Sequence, residues 1–396
     1  MIPALLVISL VGQAPVQQPA FADVVSRLTS PDAAVRLDAV ETLRQTKLPQ
    51  AIGVLSPLVV DVDDRVQLAA IDAELSLFLA YDVAADKRGT RAARAFEGAP
   101  FTVLPRPVPR ELATGLLRAA ADDDARVRVD AAYVLGAIAQ PRSLTAADAQ
   151  AIVTVLQSPD PETRSAIARV AGRLHVTEAG DALVHAMNDA DPAVRLAAIG
   201  AVGDLRFERG VQALTDFVSY YGTGEIGLAA YAALAHIAHP SSIPMFRAGL
   251  TNGNAVVRRL SAEGAGRVND AVTVEQFAVL GADKDPAVRA AAAFGLQLLG
   301  RAALDRLVPL LADARVHLQA RDYLLELGPS VAQPLARFLQ SPDAPVRHGV
   351  VEVLGITGGQ DAATAIGALT QDPDPQVRGA VARALERLRL RRASTT

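Results

Sequence analysis

The stretch Asp191-Pro192-Ala193-Val194-Arg195, followed by Leu196-Ala197-Ala198-Ile199-Gly200-Ala201-Val202-Gly203, decides the fold. Aspartate is a strong N-cap, because its carboxylate accepts from the free amides of a first helical turn and suits the positive end of the helix dipole. Pro192 then falls at the first helical position, where a missing N–H costs nothing. Val194 opens an apolar face that returns at Ala198, Ile199 and Val202, the spacing of one helical stripe. Arg195 sits at the edge of that stripe, so its stem can pack while its guanidinium reaches a carboxylate of a neighbouring segment.

Working outward, the phrase Asp-x-x-Val-Arg recurs. It appears as Asp32…Arg36, Asp124…Arg128, Asp191…Arg195, Asp285…Arg289, Asp343…Arg347 and Asp374…Arg378. Near-copies are Asp63…Gln67, Asp160…Arg164, Asn254…Arg258 and Asp313…His317. Arg164 to Arg195, Arg258 to Arg289 and Arg347 to Arg378 each span 31 residues, and a degenerate copy at Glu225-Ile226-Gly227 fills the double gap between Arg195 and Arg258. A period of this length marks a stacked array, in which each unit buries its apolar face against its neighbours. Each unit reads as an outer helix, a turn ending in Asp, and an inner helix opening with Val-Arg. Glycine often stands eight residues after the Arg (Gly136, Gly172, Gly203, Gly266, Gly355), where it lets the helix end or a neighbour come close. The Asp and Arg columns are expected to form a structural ladder, since eleven copies of one pair cannot all be an active site.

Composition agrees with an all-α stack of about eleven such units. Of the 396 residues 51% are apolar, yet only 4% are aromatic and Trp is absent, so the core is mostly Ala, Val and Leu. There is no cysteine, which removes disulfides, thiolate metal sites and cysteine nucleophiles. The formal net charge of −4 argues against a nucleic-acid groove.

The column resembles HEAT repeats, in the short form known from phycobilin lyases, over about residues 21–392. That resemblance implies a right-handed α-α superhelix with the inner helices lining a concave wall, a curved rod on the order of 100 Å long. It also implies a protein-binding scaffold, with two alternatives: an enzyme or enzyme accessory of the lyase-like branch, and a structural spacer. The di-iron hydroxylases among such proteins carry His-Glu pairs, and none of the six histidines here precedes Glu. His236 and His239 are three apart, half a metal site without an evident third ligand. No nucleophile elbow, phosphate loop or dinucleotide fingerprint is present. The expectation is therefore a protein or peptide partner, no enzyme activity, no cofactor and no metal.

Five positions after each Arg, about 140° around the helix, lies the face opposite the apolar stripe. That column includes Glu41, Asp72, Tyr133, Glu263, Phe294, Asp322 and Glu352, a mildly acidic wall suited to a basic or neutral extended segment. Tyr133 and Phe294 read as exposed aromatic anchors in it.

Three features stand outside the period. Residues 81–109, with Pro100, Pro105, Pro107 and Pro109, read as a loop inserted on the array. The basic run Arg383, Arg387, Arg389, Arg391, Arg392 reads as favouring the carboxyl end of the last helix, or as touching anionic lipid or nucleic acid, ahead of a disordered tail at 393–396. At the other end, Ile2 to Val11 is an apolar run of signal-peptide length with no Lys or Arg before it, and small residues near Ala14 or at Ala20 to Ala22 frame a cleavage point. Residues 1–14 are thus expected to be a signal peptide and the protein exported (periplasmic or extracellular); the other reading is a capping element of a cytoplasmic chain.

Overall fold

A computed structural model describes residues 20–393 apart from positions 88 and 142. The apolar run at Ile2 to Val11, its cleavage point near Ala14 and residues 394–396 lie outside the described residues.

The chain folds into eleven two-helix units. Their inner helices are, in order, Ala33–Thr46, Asp64–Phe78, Ala125–Ile138, Pro161–Arg173, Pro192–Asp204, Glu225–Ile237, Ala255–Arg267, Pro286–Leu298, His317–Leu327, Ala344–Thr357 and Pro375–Ala393. Each packs against the inner helix of the next unit. The outer helices are shorter and several begin or end in 3₁₀ turns, as at Ser56–Val60 and Val308–Ala312, where Pro57 and Pro309 remove a helical donor. One apolar core, largely Ala, Val and Leu, runs the length of the stack. The last helix continues to Ala393, so the tail expected from 393 begins no earlier than 394.

The caps form where the column places them. Asp32, Asp63, Asp124, Asp160, Asp191, Asn254 and Asp285 each accept from first-turn amides, as does Asp374. Two members differ. Asp343 holds the N-cap position without a side-chain cap bond, and Asp313 caps a turn, with its helix starting only at His317. In the degenerate sixth unit Gly224 stands at the cap and makes no side-chain bond.

The glycine column serves close approach, not helix ending. A Cβ on Gly172 would stand 2.8 Å from Ala201 Cα, one on Gly203 2.8 Å from Ala233 Cα, and one on Gly266 2.7 Å from Gly295 Cα. Neighbouring inner helices therefore meet backbone to backbone on one side, which bends the stack. The positive-φ residues at the ends of inner helices lie elsewhere, at Lys47, His175, Arg206, Ala238, Asn269, Gly300 and Gly328.

The bend is tight. Glu263 of unit 7 accepts from the Tyr323 hydroxyl of unit 9, and Arg267 of unit 7 forms a two-pronged ion pair with Glu326 of unit 9 at 2.8 Å. Residues two units apart thus touch across the inner side. The curved rod expected from the repeat count is bent far enough for its ends to meet through the inserted segment.

Residues 81–87 run over the surface, but the rest of the insertion is not a surface loop. Thr90 caps a helix, Arg91–Gly98, which packs on the inner helix of unit 3. Beyond it, Thr102 to Leu104 form a short antiparallel ribbon with Phe78 to Ala80: the Ala80 amide donates to Thr102 O and the Leu104 amide to Phe78 O, both at 2.8 Å. Phe96, Phe101, Val103 and Leu104 are buried. The run of prolines suggested a loop, but Pro limits a backbone without preventing flanking side chains from packing.

Candidate binding surface: the inner helices and the segment they hold

The inserted segment lies along the inner face and is gripped from both ends of the stack. Near its start, Arg91 donates to Asp72 and Ser76 of unit 2, and Thr90 donates to Asp130 of unit 3. Phe96 tilts against Tyr133 of unit 3, with ring centroids 5.3 Å apart. From unit 4, Arg173 lies 4.3 Å over the Phe96 ring and Arg169 pairs with Glu97. From the far end, Arg321 of unit 9 lies 3.7 Å over the Phe101 ring. Arg387 of unit 11 donates to Val103 O at 2.7 Å and to Phe101 O at 3.3 Å.

Alternation along a strand explains that last contact. Thr102 turns its carbonyl toward Ala80, so the carbonyls of Phe101 and Val103 point to the opposite edge of the ribbon. Arg387 covers that edge. It is 7% exposed with only main-chain carbonyls as acceptors, and burial, with Arg391 and Arg383 nearby, pulls its pKa down to about 10. Arg383 sits over the Tyr81 ring, Arg389 pairs with Glu386, and Arg391 and Arg392 bond Ile356 O and Gln360. Each of these arginines therefore has a partner within the fold.

The wall column takes a mixed form. Asp322 is exposed, and Glu41, Asp72 and Glu352 are half-buried and ion-paired, with Arg44, Arg91 and Arg321 respectively. The two aromatics are not exposed anchors. Phe294 is 0% exposed, stacked on Tyr323 with centroids 4.3 Å apart, and Tyr133 is 8% exposed beneath Phe96. Glu263 is buried too, satisfied by Arg259, Arg267 and Tyr323. Helical angle fixes which way a side chain leaves its own helix; it carries no information on what another element lays over it.

The ladder is built on a carboxylate the repeat phrase leaves out. Arg36, Arg164, Arg258 and Arg347 each make two-pronged bonds to Asp61, Asp189, Asp283 and Asp372, at 2.6–3.0 Å. Each of these acceptors lies two residues before the cap of the next unit and also accepts from that cap residue's own amide. The same Arg closes its own turn by donating to two carbonyls, Ser158 and Pro159 in the case of Arg164. Hydrogen bonding to Arg164, Arg258 and Arg347 holds the carboxyls of Asp189, Asp283 and Asp372 below the usual range. These clips join units 1–2, 4–5, 7–8 and 10–11. The Asp-x-Asp spelling at 61–63, 189–191, 283–285 and 372–374 was the available signal.

Other junctions improvise. Gln67 reaches Asp122 across the insertion, and Arg128 uses Thr163 and Asp160. Arg195 and Arg289 bond only carbonyls of their own turns among the described residues, and Arg195 Nε is buried without an acceptor. The acceptor position ahead of them is Gly222 or Leu311.

No group of three or more His, Asp or Glu placed to hold a metal is found among the described residues. His236 faces Asp204 at 3.5 Å, while His239 bonds Ser241, so the two address different partners. No described helix is long and apolar enough to cross a membrane.

The sequence profile of HEAT repeats matches residues 149–220 and 319–386. The chain carries HEAT repeats over these two regions. Among solved structures, this HEAT-repeat chain is similar to an engineered protein at 19% identity, covering 93% of this chain and 98% of that one with a TM-score of 0.42. It is also similar to Kap95p, solved with RanGDP, at 15% identity and a TM-score of 0.40; the match covers 94% of this chain and 55% of Kap95p, so the chain spans about half of that protein's length. An E. coli protein, YibA, matches 70% of the chain at 17% identity with a TM-score of 0.32. No curated protein matches the chain in sequence.

Proposed function

We propose that this HEAT-repeat protein is a non-catalytic, exported scaffold whose inner face holds an extended polypeptide segment of a partner. One observation carries the reading: the inner face already holds such a segment, its own residues 99–104. It is gripped by arginines of units 4, 9 and 11 through main-chain carbonyls and aromatic rings. Recognition through carbonyls and ring faces suits a stretched chain, because it reads backbone and aromatic spacing rather than one shaped pocket. Kap95p, with the same architecture, is described in complexes with RanGDP and with Nup1. Export is supported by the apolar run at Ile2 to Val11, and N-terminal sequencing that finds an intact Met1 in cytosolic material overturns it.

The scaffold reading is tested by photo-crosslinking from Asp322, on the inner side, and from Val279, exposed on an outer helix. A partner captured from Asp322 and not from Val279 supports it. Capture from Val279 alone moves the binding surface to the outside of the curl.

A further inference from the structure

The seat that units 9 to 11 offer to the inserted ribbon is richer in positive charge than the ribbon requires. Arg321, Arg383 and Arg387 contact it or the adjoining Tyr81 from those units, Arg391 lies near Arg387, and Arg106 of the insertion lies near Arg389 and Glu386. The acidic groups around this seat are fewer: Glu352 and Asp322 are paired with Arg321, and Glu386 with Arg389. Arg387 ends on neutral carbonyls, although carboxylates are the stronger acceptors for a guanidinium. Arg106 Nε is buried without a hydrogen-bond acceptor, and Arg321 Nε has only the long contact to Asp322 at 3.8 Å. A seat made only for the ribbon would not leave a guanidinium as buried as that of Arg387 with no acid bonded to it.

The ribbon is held far more firmly on its other edge. There it has two backbone bonds to Phe78 and Ala80 and the Thr102 hydroxyl bond to Ala95 O. Its polar hold on unit 11 among the described residues is the Arg387 side chain, bridging residues 284 and 286 positions apart, with Arg383 over the adjoining Tyr81 ring. If the curl opens, the ribbon stays with unit 2 and the arginine face of units 9 to 11 is uncovered.

We propose that this arginine face is a binding site for an acidic, aromatic-bearing extended polypeptide, which takes the place of the ribbon edge by supplying a carboxylate to Arg387 and a ring to the guanidinium of Arg321. The proposal rests on the scaffold reading and gives it a partner chemistry. It reverses the sign expected from the wall column, because the acidic members of that column are paired within the fold.

Three fluorescent peptides test it on the full chain by anisotropy. One has the sequence of residues 98–108, one carries aspartate in place of its two residues after Phe101, and one carries lysine there. The expected order is aspartate tightest, then native, then lysine, with at least about tenfold between the extremes, weakening as salt rises. Replacing Arg387 by Lys keeps the charge and loses the fork, and it should remove most of the preference for aspartate over native. No binding of the aspartate peptide up to about 1 mM, or equal binding of all three, overturns the proposal. A partner crosslinked from Asp322 whose bound segment is basic overturns this inference and leaves the scaffold reading standing.

Discussion

The junction between units 4 and 5 and the junction between units 5 and 6 share one glycine contact and differ in one ion pair. At the first, Gly172 lies against Ala201 and Arg164 grips Asp189; at the second, Gly203 lies against Ala233 in the same way, but Arg195 finds no carboxylate and its Nε is buried unpaired. Backbone packing is thus common to both, and the clip is an addition made at four junctions only. Clipped pairs behave as rigid blocks in this account, and curvature is free to adjust between them, at 5–6, 6–7, 8–9 and 9–10. The curl closes because those joints yield while the inserted segment and Arg387 tie its ends.

The sharpest break of this comparison is Asp189→Ala. It strips Arg164 of its acceptor in a mostly buried setting and removes the Asp191 amide bond, costing about 3 kcal/mol in chemical unfolding. Asp191→Ala removes only a cap and should cost about 1–2 kcal/mol. Equal costs would mean that the clip adds nothing to the cap. Acid sharpens the same point. The folded carboxyls of Asp189, Asp283 and Asp372 are held low, so their contribution is present above about pH 4 and is lost as pH falls through the lowered values. Asp189→Asn should therefore lose less stability between pH 5 and pH 2, roughly, than the parent chain does.

Glu74 is the counter-case, a carboxyl outside the ladder with no cation. It is 0% exposed, bonded only to the Ser56 hydroxyl, and burial pushes its pKa up to about 9. Folding then takes up a proton, so stability is highest below about pH 4 and declines as pH rises toward the folded value. Glu74→Gln should raise stability at pH 7 by about 2 kcal/mol and flatten its dependence between pH 5 and pH 9, roughly. A variant with the parent's slope would show that this carboxyl is not the group titrating.

The smallest effect is a difference between two alanines. Gly172→Ala and Gly203→Ala drive a methyl into the same kind of backbone contact, but only the clipped junction is barred from sliding apart. Gly172→Ala should be the costlier by about 1 kcal/mol. The reverse order would contradict the idea that unclipped junctions are the compliant ones.

Much of this molecule is legible in its sequence. The 31-residue register, the Asp caps and the inner helices follow from local chemistry that each unit repeats, so averaging over copies makes the signal strong. What depends on a contact between distant units is not written in any one of them. Arg387 looks like one residue of a solvated basic run, and only the fold brings it to Val103. Tyr133 and Phe294 look exposed because a helical wheel stops at one helix, whereas Phe96 and Tyr323 cover them from elsewhere. Asp189 was readable in principle, since Asp-x-Asp recurs at the four clipped junctions, but the cap two residues later draws the eye first. The insertion was hidden by its prolines, which break periodicity while leaving Phe96 and Phe101 free to be buried.

Closure of the curl is the claim on which the inner-face reading depends, and the absence of cysteine makes it directly measurable. Tyr81 and Arg383 are 302 residues apart in sequence (383 − 81), with the guanidinium 5.4 Å from the ring centre. Cysteines placed at both positions should be joined within one chain by a short bis-maleimide, with a compact solution-scattering profile, and Arg387→Ala should reduce that yield. Failure to join, together with the scattering of an open rod on the order of 100 Å, would contradict the account.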